Sequence, residues 1–326
     1  MAAEDEIIVK RYTPADAGEW NAFIDTAKNA TFLFKRNYVD YHRDQFKDHS
    51  LMIYRSGELA ALFIANESGD TIHSHAGLTY GGLILGRKAH LQHVLSYFYH
   101  IVFYYSKSFR AISYKCFPSY LATYPSNEDQ YALFLLNAKL FRRDTSMVFD
   151  KHQQVPFKKR KDSSLKTISP GELRIVDVEP GEFWEKVLQP NLLERFGAAP
   201  VHTAEQMRLL MREFPDKIRI LGIRGDNGDL LSGAVVYIFA NAVHLQYQSS
   251  TEAGRKLNTA DRLINELMSD HLAERRYFSF GTTNGEPGHK LNVGLARWKE
   301  GFGARTFLHD FYEVNTNNYG LLEEYA

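Results

Sequence analysis

The stretch Tyr277-Phe278-Ser279-Phe280-Gly281-Thr282-Thr283-Asn284 is followed by Leu291-Asn292-Val293-Gly294-Leu295-Ala296-Arg297-Trp298-Lys299-Glu300-Gly301-Phe302-Gly303, and these two runs decide how the chain is read. The first alternates aromatic and small residues and ends in polar ones, the pattern of a buried strand opening into a loop. The second reads as a helix that stops at Gly301 and Gly303, with Lys299 in its last turn. A strand that delivers polar groups beside a helix carrying one lysine suits acyl transfer, because a cation there can meet the charge that builds on a carbonyl oxygen.

Working outward, the chain makes the same order of elements twice. The first half offers a helix near Ala15–Lys28 and a hairpin (Leu51–Tyr54, Leu59–Ile64) around Ser56-Gly57. A Gly81-Gly82 edge, a helix over Ala89–Lys107, a strand over Ala111–Cys116, a helix over Gln130–Ala138 and a strand over Phe141–Phe149 follow. The second half offers helices over Glu182–Leu188 and Thr203–Glu213, then a hairpin (Ile218–Ile223, Leu231–Phe239) around Asn227-Gly228, a strong turn signal. It continues with strand Val243–Gln248, helix Thr259–Glu274, strand Tyr277–Phe280, the Lys299 helix and strand Thr306–Val314. Repetition of a whole unit marks tandem domains. The fold class expected is α/β (α+β): two domains in tandem, each a mixed, mostly antiparallel sheet flanked by helices. Their bounds are 1–155 and 171–326, with a basic linker over 156–170 that carries Lys158-Lys159-Arg160-Lys161.

Bulk composition narrows the class. The 326 residues are 44% hydrophobic and 24% charged, which is globular. Lys+Arg and Asp+Glu are 39 each, and a dedicated nucleic-acid binder is usually basic. One cysteine, Cys116, cannot form an internal disulfide, and the acidic start Met1-Ala2-Ala3-Glu4-Asp5-Glu6 lacks a signal-peptide layout; a cytoplasmic protein without a membrane span is expected. The His73-x-His75 pair has no cysteine or paired carboxylate to complete a metal site, so no metal is expected. No Walker loop, GxSxG elbow or tight Rossmann fingerprint is present.

Hairpin, edge strand, long helix and strand–helix–strand, used twice, resemble the GNAT acyltransferase fold. The Trp298-Lys299-x-x-Phe302-Gly303 ending is similar to that of the FemABX-type branch. The resemblance spans roughly residues 7–315. It implies N-acyl transfer to an amine of a nucleotide-sugar or cell-envelope (surface-polysaccharide) precursor, with acetyl-CoA or another acyl-CoA as co-substrate. Aminoacyl-tRNA replaces acyl-CoA in the peptidoglycan-building members. A binding protein on the same fold without catalysis is the rival of another class.

Specific residues carry these expectations. The resemblance assigns Lys299 to the oxyanion of the tetrahedral intermediate. The segment before the helix at 261 matches the family's phosphate loop loosely, with Gly254 and Ala260 present and the compact glycine pair missing; Gln248, Ser249, Gly254, Arg255, Lys256, Asn258, Thr259 and Ala260 are the expected cofactor contacts. Amine acylation needs a proton acceptor, for which His244, His202, Tyr247, Glu252 and His289 are candidates. Alternation along His244-Leu245-Gln246-Tyr247-Gln248 places His244, Gln246 and Gln248 on one face, with Leu245 and Tyr247 on the other. Thr282, Thr283 and Asn284 end the strand beside Lys299, as substrate or acceptor contacts. His202 precedes a helix start, and Lys35 and Arg36 in the first domain sit in the region where the resemblance implies acceptor phosphate contacts.

Overall fold

The structure, a computed structural model, describes residues 6–153, 174–271, 274–285 and 288–326. The basic run Lys158–Lys161 and the linker expected over 156–170 lie outside the described residues.

The chain divides into two compact units that are not contiguous in sequence. Unit 1 comprises Met1–Asp144, Glu286–Lys290 and Leu308–Ala326, and unit 2 comprises Thr145–Gly285 and Leu291–Phe307. The last nineteen residues therefore pack with the first half, whereas the sequence reading placed them in the second. Their 3-10 segment Thr316–Tyr325 buries Leu322 in the unit 1 core.

In unit 1, β1 (Ile7–Arg11), β2 (Leu51–Arg55), β3 (Glu58–Phe63) and β5 (Leu83–Leu85) form an antiparallel sheet in that order, with α1 (Ala17–Thr26) between the first two. The strand between β3 and β5, β4 (Thr71–His73), pairs in parallel with β6 (Ala111–Lys115) instead. The helix α2 (Leu91–Ser106) lies on the core, and α3 (Glu128–Leu135) and β7 (Lys139–Asp150) follow. On α2 the residues Val94, Leu95, Phe98, Ile101, Val102 and Tyr105 are buried, the helical spacing of an apolar stripe. Each such side chain contributes about 1.5–3 kcal/mol by leaving water.

Unit 2 is built on the same plan. β8 (Arg174–Asp177), β9 (Ile218–Arg224), β10 (Leu230–Ile238) and β11 (Ala242–Ser250) run antiparallel in order. Ahead of β9 the chain is helical through Pro180–Phe183, a π-helical turn Trp184–Leu188 and α4 (Gln189–Phe196), then through α5 (Ala204–Glu213). After β11 come α6 (Glu252–Lys256), α7 (Thr259–His271), β12 (Tyr277–Thr282) and α8 (Val293–Glu300); the last strand, β13 (Arg305–Asn315), starts in unit 2 and belongs to unit 1 from Leu308 on. Leu263, Ile264 and Leu267 of α7 pack on one sheet face with Leu221, Ala234, Val243, Leu245, Phe278 and Phe280.

One register detail shapes the rest. β11 and β12 run parallel but share only three rungs, Ala242↔Tyr277, Val243↔Phe278 and His244↔Ser279. Beyond His244 the two strands pair no further, which leaves a notch in the sheet.

Candidate active site

The notch in unit 2 gathers the polar groups. His244 and Ser279 form its last rung, and the Ser279 Oγ lies 3.0 Å from His244 Nδ1. Ser279 is fully buried. The same hydroxyl accepts from the Gly281 amide at 3.3 Å. That amide is available because β12 bulges: its register against Ser146–Asp150 shifts between Ser279 and Thr282, and Gly281 has φ +68°. A residue with a Cβ is strained there, so glycine makes the bulge cheap.

The bulge turns two successive carbonyls toward one ammonium. Lys299 Nζ donates to Gly281 O at 3.0 Å and to Thr282 O at 2.7 Å. Its helix is fixed by the aromatics around it. Trp298 meets Phe280 edge-on and donates from Nε1 to Asp261 at 2.9 Å, and the buried Phe302 stacks on Phe280. Trp298 on α8 and Phe302 just past its C-terminus clamp the helix to the core and leave Lys299 beside the bulge. Burial pushes the Lys299 ammonium down to about 7. Of its three N–H groups, two are engaged, and the third has no partner among the described residues.

Burial, then the nearby Lys299 charge, push His244 down to about 4. His244 is therefore neutral at pH 7 and exerts no charge on Lys299.

A second bulge, in β11, corrects the alternation expected from sequence. Val235 pairs with Tyr247 and Val236 with Leu245, so Gln246 is the extra residue. Leu245 stays in the core under α7, whereas Tyr247 turns to the opposite face, the one His244 occupies. There it meets Trp184 at 5.6 Å and hydrogen-bonds His202: the Tyr247 hydroxyl lies 2.6 Å from His202 Nδ1 and accepts from the His202 amide at 3.3 Å. Trp184 Nε1 donates to His202 O at 2.8 Å. Two hydrogen-bonded pairs therefore share this face, His202 with Tyr247 and His244 with Ser279.

The other expected site residues fall into two groups. Asn284 does not present its carbonyl to the notch: its Oδ1 accepts from the Thr145 amide at 2.7 Å and hydroxyl at 2.9 Å. Thr283 is buried against Thr145, hydroxyl to hydroxyl at 2.5 Å, and Thr282 contributes its carbonyl while its side chain faces solvent. In unit 1, Lys35 pairs with Asp25 at 2.7 Å, and Arg36 is buried against Tyr12, its guanidinium 3.7 Å from the ring centroid and paired with Asp40 and Asp48. Arg36 is a core arginine rather than a phosphate contact. Exposed His289 belongs to unit 1.

The expected phosphate loop is a short helix instead. Thr251 caps α6 by accepting from Gly254 N at 3.1 Å, and the amides of Arg255, Leu257 and Asn258 bond Thr251 O, Ala253 O and Arg255 O. Gly254 packs so closely that a Cβ would lie 2.2 Å from Leu231 O. Thr259 is buried and donates to Gly254 O, Ser249 donates to Val187 O, and Gln248 donates to Ser250. Arg255 reaches Asn191 Oδ1 at 2.7 Å, Lys256 pairs with Glu252, and Asn258 takes a left-handed φ of 51° ahead of Ala260. Among the described residues no cluster of His, Cys, Asp or Glu has the geometry of a metal site, and no helix is long and apolar enough to cross a membrane.

With this geometry in hand, comparison with solved structures settles the architecture. FemX superposes with a TM-score of 0.66 at 12% identity, covering 97% of this chain and all of FemX. The chain has the tandem-GNAT, FemX-like fold. A tandem GNAT protein of the clavulanic acid biosynthesis pathway matches at TM-score 0.55 and 11% identity, over 95% of this chain and 99% of that one. A protein of unknown function from Bacteroides thetaiotaomicron matches at 0.61 and 12%, over 95% and 100%. No protein-family model and no curated protein matches the sequence. The expected two-domain α/β architecture stands, and at these identities the likeness speaks for fold alone.

Proposed function

We propose that unit 2 transfers an acyl group from an activated ester or thioester to an amine, with the notch at His244 and Lys299 as the reaction site. The observation that carries the reading is the Lys299 ammonium, buried at a strand bulge with one N–H left for a ligand oxygen. The amine attacks the acyl carbonyl, whose oxygen gains negative charge, and the remaining Lys299 N–H stabilises it. The C–O or C–S bond then breaks and the leaving group departs. The amine's proton passes to His244: a developing oxyanion beside the ring replaces the repulsion of Lys299 with attraction, so the imidazole becomes a better acceptor as the intermediate forms.

Two donors fit this chemistry. Acyl-CoA is the one common to GNAT folds, and aminoacyl-tRNA is the one implied by the FemABX-type ending. The amides of Gly254, Arg255, Leu257 and Asn258 are already bonded to nearby oxygens, so that stretch offers a pyrophosphate few open amides, which favours the aminoacyl ester. The acceptor class is the amine of a nucleotide-sugar or envelope precursor. Filter binding of charged tRNA, set against calorimetry with acetyl-CoA, tests the choice. Tight tRNA binding with no acetyl-CoA binding supports the aminoacyl reading; the reverse returns the assignment to acyl-CoA. Failure of both to bind supports a binding protein without catalysis.

A further inference from the structure

The helix that carries Lys299 has little apolar surface to hold it. Along α8 only Ala296 and Lys299 itself are buried. Its other aliphatic side chains face outward, Val293 at 47% exposed and Leu295 at 36%. A helix of 8 residues with so narrow a buried stripe draws little from the hydrophobic effect and little from its own hydrogen bonds. Asn292 fixes its start: the Asn292 amide donates to Thr283 O at 2.9 Å, and Asn292 Oδ1 accepts from the Leu295 amide at 3.0 Å. The last turn, where Lys299 sits, is held by Trp298 and Phe302 against Phe280.

The neighbouring α7 is anchored in the opposite way. Leu263, Ile264, Leu267 and Met268 are all buried in the unit 2 core. Asn258, with its left-handed φ, accepts at its carbonyl from the Asp261 amide at 3.1 Å. Asp261 thus stands in the first turn of α7, where a carboxylate suits the helix dipole. Asp261 Oδ1 accepts from Trp298 Nε1 at 2.9 Å. A bond from an indole N–H to a carboxylate belongs to the stronger, charge-assisted class. It joins the firmly packed helix to the sparsely packed one, a single residue away from Lys299. Burial, and not the Asp261 charge, sets the low Lys299 value, so the carboxylate acts on the ammonium through the indole rather than across space.

We infer that Asp261 is a positioning residue: by holding the Trp298 indole it sets the Lys299 ammonium against the carbonyls of Gly281 and Thr282. Its effect on turnover rests on the transfer reading above; its effect on Lys299 does not.

NMR titration of selectively labelled lysine in the full chain reads the Lys299 midpoint without any reaction. Asp261→Ala removes the acceptor and Trp298→Phe the donor. Each should let water reach the ammonium and raise the midpoint by about one pH unit or more toward the ordinary lysine value. Asp261→Asn keeps an acceptor oxygen and should restore the wild-type midpoint. The double variant D261A/W298F should shift no further than the larger single shift, because both changes remove the same bond. Transfer of a radiolabelled acyl group from charged tRNA or acetyl-CoA to amine-bearing sugar nucleotides should slow about tenfold in Asp261→Ala and recover in Asp261→Asn. Asp261 is half-buried at a helix start, so its alanine variant leaves the core intact. If Trp298→Phe fails to fold, Asp261→Ala against Asp261→Asn still decides. An unmoved midpoint in Asp261→Ala overturns the inference. So does an Asp261→Asn variant displaced as far as the alanine one, or a folded Trp298→Phe that titrates like wild type. Wild-type turnover in Asp261→Ala with a displaced midpoint supports the link and sinks the transfer role of Lys299 instead.

Discussion

His244 Nδ1 and Ser279 Oγ lie 3.0 Å apart on the last rung shared by β11 and β12, so the hydrogen bond sits where the sheet stops being a sheet. The Ser279 hydroxyl also holds the Gly281 amide, which joins the bulge that feeds Lys299 to the ring that takes the proton. Ser279→Ala keeps the volume nearly constant but removes both bonds. It should lower turnover about tenfold and cost about 1–3 kcal/mol, because a buried amide loses its acceptor. Urea unfolding beside a transfer assay reads both. Unchanged turnover would detach Ser279 from the reaction.

Lys299 is expected to titrate near 7, with burial as the cause. In the unfolded chain it holds its proton to about 10.4, so between these values the unfolded state binds more protons and stability rises with pH across that window. Selective labelling of lysine and NMR titration of the Lys299 side chain should give a midpoint several pH units below the other lysines. A midpoint near 10 would mean that the ammonium is solvated and not held at the bulge.

His244 gives the complementary acid-side effect. Its folded value of about 4 lies below the unfolded value of about 6.5, so its contribution is complete above 6.5 and is lost as pH falls toward 4. Unfolding free energy should drop by about 1–2 kcal/mol between pH 7 and 5 from this residue. His244→Gln should flatten that part of the stability profile and lower turnover about a hundredfold. An unaltered profile in the variant would contradict the assigned environment.

Arg36 tests the opposite case, a cation with a structural task. Arg36→Met leaves Asp40 and Asp48 without their partner and removes the guanidinium from Tyr12. The variant should lose about 3 kcal/mol in chemical denaturation, with no change in the KM of the folded fraction. A raised KM at wild-type stability would restore Arg36 to acceptor binding.

Much of this was legible in the sequence, and the failures have physical reasons. The element order, the Asn227-Gly228 hairpin and the Lys299 helix could be read because periodicity and turn chemistry are local. The clamp is local too: Trp298 near the end of the helix and Phe302 just beyond it flank Lys299 in the motif itself. Bulges are not local signals. The one at Gln246 turned Tyr247 to the His244 face, and only the pairing of Val235 and Val236 with β11 reveals it. Ser279 went unnoticed because a small residue in an alternating strand looks like packing; its position opposite His244 depends on a parallel pairing between strands thirty-odd residues apart. Arg36 was expected to meet an acceptor phosphate because its partners, Asp40 and Asp48, carry no marker in the sequence that they pair with it. The segment at Gly254 was expected to hold a phosphate, and nothing local in the sequence shows Leu231 O packed beneath that glycine.

The most direct measurement of the central claim is transfer of a radiolabelled acyl group, from charged tRNA and in parallel from acetyl-CoA, to a pool of amine-bearing sugar nucleotides and envelope precursors, with wild type beside Lys299→Ala. Wild type should label an acceptor, and Lys299→Ala, still folded by circular dichroism, should do so about a hundred- to a thousandfold more slowly. Full transfer by Lys299→Ala would contradict the account.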